Sequence, residues 1–188
     1  MDATRRRIRD DFRGHFRGEL LIDPIARGLY ATDASLFQME PLAVAVPRDE
    51  EDLAFVIRYA FEKQIPVVPR GAGTGVAGES LGSGLIVDLS THLRTIHEMD
   101  GDLVRVQPGV VLRNLNAELS RYGRRFAPDP ASAASCTLGG MLATNASGGN
   151  VGLHGYTSDH VSALKVIWDN GESSTLHRPT VVHGSPNG

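Results

Sequence analysis

Hydrophobic and polar residues are patterned along this chain with a period that changes several times, and each change marks an element. Residues 5–17 (RRRIRDDFRGHFR) read as a short helix weakened by Gly14, its arginines on a solvated face offset by Asp10, Asp11 and Glu19. Leu42 to Val46 is a continuous apolar run stopped by Pro47, the pattern of a buried strand. Asp49 then offers a helix cap with Glu50, Glu51 and Asp52 in the favourable first turn, and Leu53, Val56, Ile57, Ala60 and Phe61 fall on one face. Residues 65–69 return to a strand that runs into Arg70. This strand–helix–strand unit is of the kind that lays down parallel strands. Further strands are predicted at 85–89 and 103–106, and a helix over 111–122 with Leu112, Leu115, Leu119 and Tyr122 on one face and Gly123 past its end. Residues 128–155 carry almost no charge and read as a long small-residue loop of the functional kind. The pattern closes with a strand at 161–168, an Asp169-Asn170-Gly171 turn, a return strand at 173–177 and a frayed tail.

Composition narrows the classes. With 188 residues, 41% apolar and 22% charged, the chain is an ordinary globular protein, and its net charge of −3 lacks the footprint of a general nucleic-acid binder. No apolar run has the length of a transmembrane helix, and the first residues have neither a secretory apolar core nor an acid-free transit pattern. One cysteine, Cys136, forms no internal disulfide, so a reducing cytoplasmic setting is expected.

Glycine changes the picture more. Of 21 glycines, six lie between Gly71 and Gly84 and six between Gly139 and Gly155. Glycine collects where φ is positive or the backbone approaches a ligand closely, so the two clusters predict two walls of one elongated, phosphate-bearing ligand; two turn-rich connections are the plainer alternative. Gly73-Thr-Gly75-Val-Ala-Gly78 matches the dinucleotide fingerprint, but the Glu79–Gly84 stretch cannot open the helix that the fingerprint requires. Consecutive N–H groups in such a turn still make an anion nest. Gly78-Glu-Ser80-Leu-Gly82 matches a nucleophile elbow without the strand–turn–helix context, so it reads as chance. The seven histidines form no metal-ligand spacing, and His154, Asp159 and His160 read as a solvent-facing loop group or, less favoured, a ligand contact. No Walker lysine follows the glycine loop.

Together, Pro69-Arg70-Gly71-Ala72-Gly73-Thr74-Gly75, the loop Pro128-Asp129-Pro130 through Cys136-Thr137-Leu138-Gly139-Gly140 to Asn145-Ala146-Ser147-Gly148, the stretch Gly155 to Val161 with Leu164 to Gly171, and Tyr30 to Ser35 resemble the FAD-binding domain of the vanillyl-alcohol oxidase/PCMH flavoprotein superfamily. Within it, the pattern resembles the FAD-linked D-2-hydroxyacid dehydrogenases, the group of the D-lactate and D-2-hydroxyglutarate dehydrogenases and the glycolate oxidase flavoprotein subunit. The resemblance runs from about residue 28 to 172 in consistent order. It implies an α+β, PCMH-type FAD-binding domain of two α+β lobes with the second lobe incomplete: a lead-in over 1–37, lobes over about 38–108 and 109–178, a flexible tail over 179–188 and no substrate cap.

It also implies a site. Arg70, Gly71, Ala72, Gly73, Thr74 and Gly75 would wrap the FAD pyrophosphate, with the Thr74 hydroxyl assisting. Asp129, Cys136, Thr137, Gly139, Gly140, Asn145, Ser147 and Gly148 would line the ribityl chain and flavin edge, with Val161 close by. Thr74 stands where relatives with covalently attached flavin carry histidine, so non-covalent FAD is expected. Gly73→Val should abolish flavin binding by filling the space that the pyrophosphate approaches. His154 departs from the residue usual before Gly155 in such relatives. The parent reaction would be oxidation of a D-2-hydroxy acid with hydride transfer to FAD, the substrate contacts lying in the missing cap, so the chain alone is not expected to be a complete catalyst. An exposed apolar face left by the missing cap is expected to favour self-association. The rivals are a fragment without cofactor acting as a phosphate-binding or interaction module, a nicotinamide-dinucleotide domain, and the UDP-N-acetylenolpyruvoylglucosamine reductase type within the same fold. The Pro128-Asp129-Pro130 start fits the hydroxyacid group better.

Overall fold

The computed structural model describes residues 3–178, so the tail expected over 179–188 lies outside the described residues. Helix α1 (Ala3–Phe12) stops earlier than the sequence pattern predicts because Gly14 takes a left-handed φ of +78° and turns the chain. Its Ile8 and Phe12 are buried, and the Phe12 ring meets Phe16, Phe55 and Tyr59 edge-on at centroid distances of 5.1, 5.2 and 5.0 Å. Two elements that the pattern did not mark follow: strand β1 (Glu19–Leu21) and helix α2 (Pro24–Leu29), capped by the Asp23 carboxylate.

Strand β2 (Ala43–Val46) leads into α3 (Glu50–Glu62), where the Asp49 carboxylate accepts the Asp52 N–H at 3.0 Å, the cap that the sequence predicts. Strand β3 (Val67–Arg70) and strand β4 (Leu85–Asp88) complete a sheet of order β1-β2-β4-β3, antiparallel at β1-β2 and parallel elsewhere. The predicted β2-α3-β3 unit does lay down parallel strands, with β4 inserted between them. Every residue of β2 and β4 is buried because both faces of the sheet are covered. Ala43, Ala45, Leu85 and Val87 pack with α1 and α3, while Val44, Val46 and Ile86 meet Leu21 and Tyr30 on the other face. Pro69, which cannot donate to a ladder, sits in the edge strand β3.

Parallel neighbours need a crossover, and between β3 and β4 the crossover is residues 71–84, with no helix. The glycine loop must therefore travel back along the β3 edge, which is why a side chain at Gly82 would collide with Val68 and one at Gly84 with the Pro66 carbonyl.

The second core is made by α4 (Leu112–Ser120) and α5 (Leu138–Thr144), through Val110, Leu112, Leu115, Leu119, Cys136, Leu138 and Met141. The hairpin β5 (Ile96–Asp100) and β6 (Leu103–Val106) packs Ile96, Met99, Val104 and Val106 on this second core, so the packing changes partner ahead of residue 96. Tyr122 is 59% exposed, off the face the pattern gave it, because α4 ends two residues before it. The hairpin β7 (Ala163–Ile167) and β8 (Ser173–His177) forms with the turn that Asp169-Asn170-Gly171 predicts, and Lys165 pairs with Glu50 at the start of α3. Among the described residues, no helix is long and apolar enough to cross a membrane.

Candidate functional site

The two glycine clusters meet. A side chain at Gly71, the first residue after β3, would overlap the Thr137 hydroxyl at the mouth of α5. Thr137 is 3% exposed and its Oγ1 accepts the Gly140 N–H at 3.4 Å, capping α5, while Val111 and Thr137 pair as an antiparallel bridge. Gly139 packs against Pro108 and donates its N–H to the Pro108 carbonyl at 2.8 Å.

The glycine loop after β3 is held from one side. Gly73 has φ +66°, its carbonyl accepts the Ala34 N–H at 3.0 Å, and a Cβ there would meet the Arg70 guanidinium 2.6 Å away. Arg70 itself donates to the Thr32 carbonyl at 2.8 Å and the Tyr30 carbonyl at 3.3 Å, and lies 5.4 Å from the Tyr30 ring centroid. The expectation that a side chain at Gly73 fills ligand space is corrected accordingly: that direction belongs to Arg70. Among the described residues, the backbone N–H groups of 71–76 find no acceptor, whereas those of residues 138–141 in the first turn of α5 are engaged within the protein. An uncommitted row of N–H groups in a turn with positive φ fits a diphosphate, and the N-terminus of α5 has none to offer one.

Behind this loop the Tyr30–Ser35 stretch of the resemblance and Ser80 are tied into one polar network with Asp88. Asp33 accepts the Ser35 N–H at 2.8 Å and the Ser80 hydroxyl at 3.0 Å. Burial opposes ionisation of Asp33, but the hydrogen bonds from Ser35 and Ser80, with Arg70 nearby, outweigh it and hold the carboxyl below its ordinary value. Ser80 is thus a 9% exposed anchor with no helix after it, which removes the elbow reading. Tyr30 donates its hydroxyl to Asp88 at 2.6 Å; burial and that hydrogen bond push the phenol well above its usual range. Asp88 also accepts from Ser90. The signal available in sequence was the Asp33-Ala-Ser35 spacing of an Asx turn.

The segment 128–155 is not one loop. It contains α5 and a short helix α6 (Val151–His154), followed by a 3-10 turn over Thr157–His160. Thr137 caps α5 and Asn145 ends it at φ +49°, a boundary the small-residue composition had hidden. Gly148, at φ +127°, pairs beside Asp129, whose carbonyl a Cβ there would strike. Thr157, fully buried, gives both its N–H and its hydroxyl to the Ala146 carbonyl, and Ser158 donates to Asn145 Oδ1 at 3.0 Å. Cys136 points into the second core, where burial raises its thiol pKa, so it forms part of the wall from behind. Gly140 and Ser147 are half-buried beside these contacts. Val161 lies apart from the glycine loop in a recess of about 350 Å³ between α5 and the β7-β8 hairpin, with Leu142, Leu164 and Leu176. His154, within the second glycine cluster, is 2.9 Å from the Arg125 guanidinium and its carbonyl contacts His160; no hydrogen bond among the described residues joins this exposed group to the glycine loop after β3.

Comparison with known proteins gives the arrangement a family. A family model described as an FAD binding domain matches residues 41–177. D-2-hydroxyglutarate dehydrogenase of Pseudomonas putida is 41% identical over 162 residues, covering 84% of this chain and 16% of that protein. Glycolate oxidase subunit GlcD of Bacillus subtilis is 35% identical over 151 residues, covering 78% of this chain and 32% of that protein. The chain therefore spans a minor part of these relatives' length. Among solved structures, alkyldihydroxyacetonephosphate synthase superposes with a TM-score of 0.80 at 20% identity over 96% of this chain and 36% of that one. 6-Hydroxy-D-nicotine oxidase of Arthrobacter nicotinovorans gives 0.74 at 21% identity over 86% of this chain and 36% of that one, and both likenesses concern the α+β, PCMH-type fold. The uncommitted N–H row, the glycine loop locked against the α5 cap and a family match over 41–177 agree, and the chain belongs to the FAD binding domain family, whose cofactor is FAD.

Proposed function

We propose that this chain is the flavin-holding part of an oxidoreductase acting on a D-2-hydroxy acid, with FAD held non-covalently. The observation that carries the reading is the run of N–H groups at 71–76 without an acceptor among the described residues, in the loop locked against Thr137. In this reading Gly71, Ala72, Gly73, Thr74 and Gly75 donate to the diphosphate oxygens, Thr74 adds its hydroxyl, and Arg70 fixes the loop from behind through Tyr30 and Thr32. Asp129, Thr137, Gly139, Gly140, Asn145, Ser147 and Gly148 form a wall of small and polar residues along the ribityl chain and ring, with Asp129 its one acid, backed by Cys136 and with Val161 at its far side. When bound, FAD supplies hydride acceptance, and the protein binds and orients it. Thr74, a residue that forms no histidyl link, supports non-covalent attachment.

The D-2-hydroxy acid rests on the relatives named above, and its contacts are expected from regions of such proteins beyond the aligned part. The nicotinamide alternative loses support because no helix opens between residues 71 and 84. Leu36, Phe37, Met39 and Val76 are exposed near the first glycine loop, which supports self-association, and the free, buried Cys136 supports a cytoplasmic setting. A visible absorbance spectrum, repeated after denaturation and centrifugation, tests the proposal. A flavin spectrum whose chromophore passes into the supernatant as FAD is the expected result. A folded, colourless protein that binds no added FAD overturns it.

A further inference from the structure

An acid of this chain already stands against the proposed diphosphate loop. The Glu79 carboxylate accepts the Ala77 N–H at 3.0 Å and lies in the space that a Cβ at Gly75 would need. It sits at the downstream end of the same turn whose N–H groups at 71–76 find no acceptor among the described residues. Glu79 is exposed, so the core does not require a side chain there to keep this position. Its neighbour Ser80 is bound to Asp33, which brings a second negative charge behind the turn, and Arg70 is committed to the Tyr30 and Thr32 carbonyls.

A carboxylate and a diphosphate seek the same kind of donor and repel one another, the more strongly where the surroundings are partly desolvated. We propose that Glu79 is a built-in competitor for the anion site: in the free chain its carboxylate holds the turn folded over Gly75, and a dinucleotide diphosphate must push it aside. Glu79 then sets the affinity for the dinucleotide and makes that affinity depend on salt. The proposal rests on the reading of residues 71–75 as the diphosphate loop.

Glu79→Gln removes the charge and keeps the shape. FAD is titrated into wild type and variant by quenching of flavin fluorescence, at about 0.01 M and about 1 M salt. At low salt the variant is expected to bind roughly fivefold more tightly or better, the size of one like-charge contact at about 4 Å even in full solvent. The advantage should shrink toward nothing at high salt, and inorganic pyrophosphate should show a lower inhibition constant against FAD binding in the variant than in wild type. Glu79→Ala, with neither charge nor acceptor, should move affinity in the same direction. Equal or weaker FAD binding by both variants at low salt overturns the role of Glu79 and leaves the diphosphate loop standing. Failure of folded wild type and variants alike to bind FAD overturns the loop reading and the proposal together.

Discussion

The buried hydroxyl of Thr137 fills the space that a side chain at Gly71 would need. One contact thus joins the end of an edge strand in the first core to the cap of a helix in the second, and it sets the two glycine clusters side by side.

Gly71→Ala forces this contact apart and should cost about 1–3 kcal/mol of stability, as overpacking does in a tight interior. Thr137→Ala should cost about 1 kcal/mol through the lost α5 cap. Urea unfolding of both single variants and the double checks the pairing. The double variant should be less destabilised than the sum of the singles, since the methyl added in place of Gly71 then occupies the room that the hydroxyl left. Strict additivity would show that the two residues do not touch.

Gly73→Ala meets two obstacles, a φ of +66° and the Arg70 guanidinium. The left-handed backbone alone should cost about 1–2 kcal/mol. Because the added carbon faces Arg70, loss of FAD affinity should come with loss of thermal stability, and Arg70→Ala in the same chain should recover part of that stability. Weakened FAD binding with an unchanged melting temperature would return the side chain to the ligand's side of the loop.

Tyr59 donates to Asp11 at 2.9 Å, and burial followed by that hydrogen bond pushes its phenol up to about 12. A group whose folded pKa lies above its unfolded value contributes stability that is fully present below the unfolded value, near pH 10 for tyrosine, and is lost as pH rises toward the folded one. Urea midpoints measured at about pH 8 and about pH 11 should therefore fall for wild type, and fall less for Tyr59→Phe. The same direction holds for Tyr30→Phe at the Asp88 contact.

Thr157→Val keeps the volume and removes the hydroxyl that donates to the Ala146 carbonyl at 2.6 Å. That carbonyl retains the Thr157 N–H at 2.9 Å, so the expected cost is only about 1 kcal/mol, read from urea unfolding. Hydrogen exchange should quicken over 145–160, where the 3-10 turn leans on the end of α5.

Much of the fold was legible because local chemistry and tertiary structure agree. The Asp49 cap, the apolar face of α3, the buried runs of β2 and β4 and the Asp169-Asn170-Gly171 turn are each dictated within a few residues. The sequence missed elements with weak signals of their own. Strand β5 reads Ile-His-Glu-Met-Asp and becomes a strand only because β6 pairs with it around Gly101 at φ +59°. Helix α5 has seven residues, two of them glycines, and it forms because Thr137 and Asn145 fix its ends while Leu138 and Met141 bury one face in the second core.

The glycine clusters, the absence of a helix signal after Gly78 and the ordered motifs were written in the chain itself, since backbone freedom and helix propensity are properties of individual residues. Which way the atoms face was not. That Arg70 braces Gly73 from behind, that Thr137 meets Gly71, and that Glu79 leans over Gly75 follow from how β3, β4 and α5 are placed. The Gly71–Thr137 contact joins residues far apart in sequence and depends on packing the two cores together, while the Arg70 and Glu79 contacts depend on the path of one loop between β3 and β4; no residue pattern encodes either.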